Sequence, residues 1–116
     1  NLEEAIGRTD AATDAYPAYY MVNCAHPDHF RDVLRGGGAW LQRIRGLRAN
    51  ASRRSHAELD AAPDLDAGDP LELARDLLDL LQALPQLRVI GGCCGTDLRH
   101  VNALCDALTE RLVVGA

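Results

Sequence analysis

The stretch Leu87-Arg88-Val89-Ile90-Gly91-Gly92-Cys93-Cys94-Gly95-Thr96 decides the fold. A short apolar run, Leu87, Val89 and Ile90, stops at two glycines, two adjacent cysteines and a third glycine. Successive side chains on a strand point to opposite faces, so Cys93 and Cys94 converge only if the strand ends and turns there. Gly91, Gly92 and Gly95 supply the backbone freedom for such a turn. A third cysteine, Cys24, lies far upstream, also at the end of an apolar run. Three thiolates meeting at strand ends match a catalytic zinc site, which takes three protein ligands and keeps the fourth position open.

Working outward, the chain alternates apolar runs with helical patterns. Residues 2–12 carry Leu2, Ala5, Ile6 and Thr9 on one side of a short helix, broken by Tyr16-Pro17. Tyr19 to Val22 read as a strand ending at Asn23-Cys24. Pro27 opens a helix whose stripe is Phe30, Val33 and Leu34, and Gly36-Gly37-Gly38 terminates it. Trp40, Leu41 and Ile44 suggest another helical turn, and a second strand is expected near residues 46–50. Residues 53–69 read as loop. Asp69-Pro70 caps a helix with Leu73, Leu77, Leu80, Leu81 and Leu84 on its buried face, stopped by Pro85. After the third strand, Thr96 is the expected cap of a last helix burying Leu98, Val101, Leu104, Cys105, Leu108 and Leu112. The order is one helix and then three strand–helix units, which implies an α/β fold with parallel strands. Such folds carry their sites at the C-terminal ends of the strands, where Cys24, Asn50, Cys93 and Cys94 all fall.

Composition excludes several classes. The chain has 116 residues, on length one domain, and a net charge of -5, which offers no nucleic-acid surface. No apolar run reaches the ~18 residues of a membrane span. The acidic start, Asn1-Leu2-Glu3-Glu4, does not read as a signal peptide, and the chain does not open with Met. The four cysteines sit in an alternating α/β pattern rather than a secreted disulfide scaffold, so a reducing cytoplasm and metal-bound thiolates fit better. A vicinal-dithiol redox module is the weaker alternative, because Cys93-Cys94 lacks the two-residue spacer of thioredoxin-like motifs.

The segments Tyr19-Tyr20-Met21-Val22-Asn23-Cys24, the helix-opening Pro27 and Gly91-Gly92-Cys93-Cys94-Gly95-Thr96 resemble the homocysteine S-methyltransferase family. That family has an Asn-Cys at the end of its sixth barrel strand and a Gly-Gly-Cys-Cys at the end of its eighth. The resemblance implies that residues 1–116 form the C-terminal portion of a (β/α)8 TIM barrel, about strands six to eight. A whole barrel needs roughly 250 residues, so five strands, with the groups that hold the homocysteine amine, would lie outside this chain. It implies zinc held by Cys24, Cys93 and Cys94, and methyl transfer to homocysteine, giving methionine. The implied partners are homocysteine and a methyl donor such as S-methylmethionine, S-adenosylmethionine or betaine, with no nucleic acid or membrane. Asn23 and Asn50 are candidate substrate-binding residues, although Ala49-Asn50-Ala51-Ser52 replaces the Pro-Asn-Ser-Gly-Glu-like segment common in the family. A catalytically inactive zinc-binding fragment, acting only as a structural piece, is the alternative.

Other polar residues carry plainer expectations. Cys105 falls on the apolar stripe of the last helix and is expected to be a packed core thiol. His26 is expected to cap the helix at Pro27, His56 and His100 to lie on the surface, and Arg53 and Arg54 to belong to a solvated loop. Open strand edges, if unpaired, favour self-association.

Overall fold

A computed structural model describes residues 1–64 and 66–115; the side chains of residues 56, 59 and 112–115 fall outside the description. Helix α1 (Leu2–Thr13) is capped by Asn1 and Glu4 in a reciprocal capping box and ends at Asp14 in the left-handed conformation. Strand β1 (Tyr20–Ala25) leads to α2 (Pro27–Arg35), whose first free N–H, that of Asp28, is accepted by His26 Nδ1 at 3.1 Å. After a 3-10 turn (Ala39–Arg43) come β2 (Ile44–Ala49), α3 (His56–Ala61) and α4 (Pro70–Ala83). Strand β3 (Val89–Gly92) and α5 (Leu98–Gly115) complete the chain.

The three strands form one parallel sheet in the order β1-β2-β3. Leu47, in the central strand, is fully buried beneath the helices with Leu73, Leu77, Leu80, Leu84, Leu87, Phe30, Leu34 and Leu104. The opposite face of the sheet is open: Asn23, Arg48 and Val89 are exposed on it. A compact domain of this length would have a radius of gyration near ~13 Å; the chain measures 15.0 Å. One helix layer on one side of a parallel sheet is the cross-section of a barrel wall, and parallel strands are normally covered on both faces.

Several expectations are corrected. Ile44 opens β2 instead of belonging to a helical turn, because the 3-10 turn ends at Arg43. Residues 53–69 contain α3, and the missed signal was local: Ser55 accepts from the Glu58 N–H and donates to the Glu58 carboxylate. Asp97, not Thr96, caps α5 by accepting the Arg99 N–H at 2.9 Å. That helix turns His100 and Leu104 to the core and leaves Leu98, Val101 and Cys105 exposed, about a quarter turn from the predicted stripe. Cys105 is therefore not a packed core thiol, and His100 is not a surface residue: it is 4% exposed. Leu112 and the His56 side chain lie outside the described residues.

Arg43 ties the N-terminal helix to the sheet. Its guanidinium holds Asp10 through two hydrogen bonds, at 2.9 and 3.0 Å, and donates to the carbonyls of Pro17 and Ala18. Tyr20 donates to the same carboxylate at 2.8 Å. Arg43 and then Tyr20 hold the Asp10 carboxyl below the usual range. A depressed acid contributes stability above its unfolded pKa, near ~4, and loses that contribution as pH falls through the folded value. Asp10→Asn should therefore lower the urea midpoint at pH 7, and the gap to the unaltered chain should close as the pH falls through the depressed folded-state value. A gap that persists in acid would show that the carboxylate charge is not what the clamp uses. Leu77, 1% exposed, is the deepest residue of α4, and Leu77→Ala should cost about 2–5 kcal/mol in the same unfolding measurement.

Candidate metal centre

Two strand ends build the cluster. Between β2 and β3 the ladder runs two residues past each strand: the Cys93 N–H donates to Ala49 O at 2.8 Å and the Ala51 N–H to Cys94 O at 3.0 Å. On the other side the Asn50 N–H donates to Ala25 O at 3.1 Å. Asn23 pairs with Arg48 and Ala25 with Ala49, so Cys24 is the extra residue of a bulge. In a regular strand Cys24 would face away from its neighbour Asn23, into the helices. Instead it takes a left-handed φ of 59°, which bulges use to re-aim a side chain. Its sulfur then meets Cys93 Sγ at 2.7 Å and Cys94 Sγ at 3.9 Å.

The Cys93-Cys94 turn is held from three sides. The Thr96 hydroxyl donates to Cys93 O at 2.7 Å, and the Thr96 N–H to the same oxygen at 3.1 Å. Asn50, 1% exposed, accepts the Cys94 N–H on Oδ1 at 3.1 Å, and its buried Nδ2 has no partner among the described residues. Behind the turn runs the segment 66–68. Asp66 accepts the Ser52 hydroxyl, and Ala67 O accepts His100 Nε2–H at 2.6 Å. With Nε2 donating, the neutral ring accepts the Asp97 N–H on Nδ1 at 3.0 Å, so both nitrogens are used. Gly95 has φ +79° and lies so close to Asp66 O that a Cβ would collide with it.

The sulfurs share protons. Hydrogen bonding to Cys93, and then to Cys94, pushes the Cys24 thiol up to about 11. The Cys93 thiol is held below its usual range, first because it accepts from Cys24, with the Cys94 N–H and side chain and the Arg48 charge adding to the effect. A thiolate beside a thiol that can be deprotonated is the donor chemistry a thiophilic ion needs. All three Sγ atoms lie within 4.8 Å of one another. A tetrahedral ion with metal–sulfur bonds of ~2.3 Å would set them ~3.8 Å apart, close to the Cys24–Cys94 separation. The trio can hold a metal ion, with Cys24 and Cys93 spreading from their 2.7 Å separation to admit it.

The remaining candidates fall elsewhere. Asn23 is exposed beside the trio and Asn50 is buried under it. His26 caps α2, as expected, and is 1% exposed, and its burial pushes the imidazole pKa down. His26, Asp28 and Asp76 are also close enough to share an ion, but Arg31 and Arg53 already occupy both carboxylates. Arg53 additionally pairs with Glu72, so it anchors its loop to α2 and α4. A polar cavity of about 240 Å³ lies over His26, Ser52, Arg53, Asp66 and Glu72, and no residue of the trio lines it. Sequence reasoning missed two residues near the trio, His100 and Arg48; a charge on the open face of an otherwise buried strand was the available signal for the second.

The family described as homocysteine S-methyltransferase matches residues 1–108. No curated protein and no solved structure matches the chain. Among the described residues no helix is long and apolar enough to cross a membrane.

Gly95→Ala should weaken zinc affinity by at least about tenfold, measured by competition with a chromophoric chelator, because the Cys93-Cys94 turn must move off Asp66. Gly37→Ala, at φ +72° in open surroundings, carries a similar backbone cost and should leave affinity unchanged. Equal loss in both variants would mean that the effect is global instability.

Proposed function

The chain belongs to the homocysteine S-methyltransferase family, and on that premise we propose that it takes part in transferring a methyl group to the thiol of homocysteine, giving methionine. In this reading residues 1–116 are the last three βα units of a barrel, and Cys24, Cys93 and Cys94 hold zinc. The observation that carries it is the convergence of these three sulfurs from two strand ends, with Cys24 turned into the cluster by a left-handed bulge.

When bound, zinc would keep the thiol of homocysteine deprotonated at neutral pH and hold it as the nucleophile. The chain's own part is positional. The bulge at Cys24 and the Thr96 and Asn50 hydrogen bonds fix where the three sulfurs stand. The open sheet face beside them leaves room for the amino acid, and the ends of the strands leave room for the donor. The substrate sulfur forms a bond to the methyl carbon of a sulfonium or ammonium donor. The donor's bond to that carbon breaks with its electron pair, so the donor leaves as a neutral thioether or amine. Holding sulfur, carbon and leaving atom in line supplies much of the rate.

A second reading, a zinc-binding piece without turnover, draws on one observation. The strand residues of the open face include no carboxylate to hold the substrate ammonium: they are Met21, Asn23, Gly46, Arg48, Val89 and Gly91. Groups from other strands would have to supply it.

Purified protein should contain about one zinc per complete site, measured by elemental analysis. Cys93→Ala and Cys94→Ala together should reduce zinc to background, whereas Cys105→Ala on exposed α5 should not. Mixing the protein with homocysteine and S-methylmethionine, S-adenosylmethionine or betaine should yield methionine with one of them, but well below the rate of a complete barrel, because the groups that hold the substrate ammonium come from other strands. Full zinc without methionine from any donor would favour the second reading; full zinc in the double variant would sink the assignment of the ligands.

A further inference from the structure

Arg48 is the unexplained charge of the open face. It pairs in the ladder with Asn23 on one side and Gly91 on the other, and ladder partners point to the same side of a sheet. That side is the one away from the helices, since Leu47 and Ala49, the neighbours of Arg48, are buried under them. Cys93 continues the β3 ladder two residues beyond Gly91 and so stands on the same side, one step above Arg48. Asn50, also two residues on, sits above Arg48 on its own strand.

These residues enclose an open hollow. Nothing lies within 4 Å of where a Cβ on Gly91 would be, so the space beside Arg48 is empty. One step below, Met21 packs over Gly46 and closes the floor. Above stands Cys93, with Asn50 buried behind it. Among the described residues the Arg48 guanidinium makes no side-chain hydrogen bond and no ion pair, unlike Arg31, Arg43, Arg53, Arg54 and Arg99. Arg48 is exposed here and its charge reaches the Cys93 thiol above it; inside a closed barrel it would need an anion beside it, because an unpaired buried charge is costly.

Resting on the functional reading above, we propose that Arg48 is a specificity-determining residue that binds the α-carboxylate of the amino-acid thiol whose sulfur is held at Cys24, Cys93 and Cys94. The planar guanidinium matches a carboxylate through two parallel N–H donors. Two residues along a strand span ~7 Å, which suits the short carbon chain between sulfur and carboxylate in homocysteine. Asn23, the exposed partner of Arg48, stands beside the same hollow and can add a donor. The substrate class is thereby narrowed to thiols that carry a carboxylate near the sulfur.

The test is calorimetric binding to the zinc-loaded protein, with two probes: L-homocysteine, and 3-mercaptopropylamine, the same molecule without its carboxylate. Arg48→Gln should weaken L-homocysteine binding by about 10- to 100-fold and leave 3-mercaptopropylamine within about twofold, with zinc content unchanged. Arg48→Lys should recover part of the loss, since it keeps the charge without the fork. Equal weakening of both probes would overturn the proposal and make Arg48 a counter-charge for the thiolates. No weakening of either would overturn it as well. If neither probe binds the unaltered zinc-loaded protein, the functional reading itself fails, and the inference falls with it.

Discussion

The arrangement of the site depends on the register between the central strand and its two neighbours. Ala49 O receives the Cys93 N–H and Ala25 O receives the Asn50 N–H, so both outer strands end level with the end of β2. Parallel strands start and stop together only if the connections on the other face allow it. Here α2 and α4 return the chain beneath the sheet, and their Phe30, Leu34 and Leu77 share one core with Leu47. A slip of one residue in either ladder would move a cysteine by ~3.3 Å and reverse its face. The apolar core is thus what places the sulfurs, although it touches none of them.

At the level of the cluster, charge opposes assembly. Three sulfurs within 4.8 Å of one another cannot all be anionic without a cation, and the Cys24 proton reflects this. Cys24 also occupies a backbone region that costs an L-residue about 1–2 kcal/mol. Strain of this kind persists only where the surroundings over-determine it. The surroundings here are the bulge itself, the Asn50 to Ala25 bond and the sulfur contacts. An ion that binds the three thiolates would relieve the repulsion and use the strained geometry, while releasing the proton that Cys24 holds.

Much of this was legible in the residues, for definite reasons. Helical capping by His26 ahead of Pro27 and by Asp69 ahead of Pro70 is local chemistry, and both helices start where the cap says. The convergence of Cys24, Cys93 and Cys94 followed from the alternation of elements, since consecutive parallel strands must end on one side. What failed was rotation and fine local geometry. The stripe Leu98, Val101 and Cys105 is as apolar as the one that is buried, and the phase of α5 is set by the His100 bond to Ala67, a contact from a distant loop. The bulge at Cys24 has no local signature either, because a left-handed cysteine has no propensity to announce it. Helix α3 was masked by its acidic setting, although Ser55 and Glu58 had the spacing of a reciprocal cap.

The exposed residues follow a spatial logic that the strands alone explain. Leu98 and Val101 lie along one side of α5, and Val89 on the open face of β3, the outer strand next to it. On the opposite border, Leu2, Ala5 and Ile6 of α1 line a cleft with Tyr20, Met21 and Val22 of β1. Both borders therefore present apolar side chains next to a strand whose outer N–H and C=O groups have no ladder partner among the described residues. In a barrel these are the seams at which the next strand and helix join. The same closure would enclose the hollow at Arg48, remove water from it and raise the strength of any pairing made there. An arginine that is harmless on an open sheet thus becomes, once the wall closes, the charge around which an anionic group must be fitted.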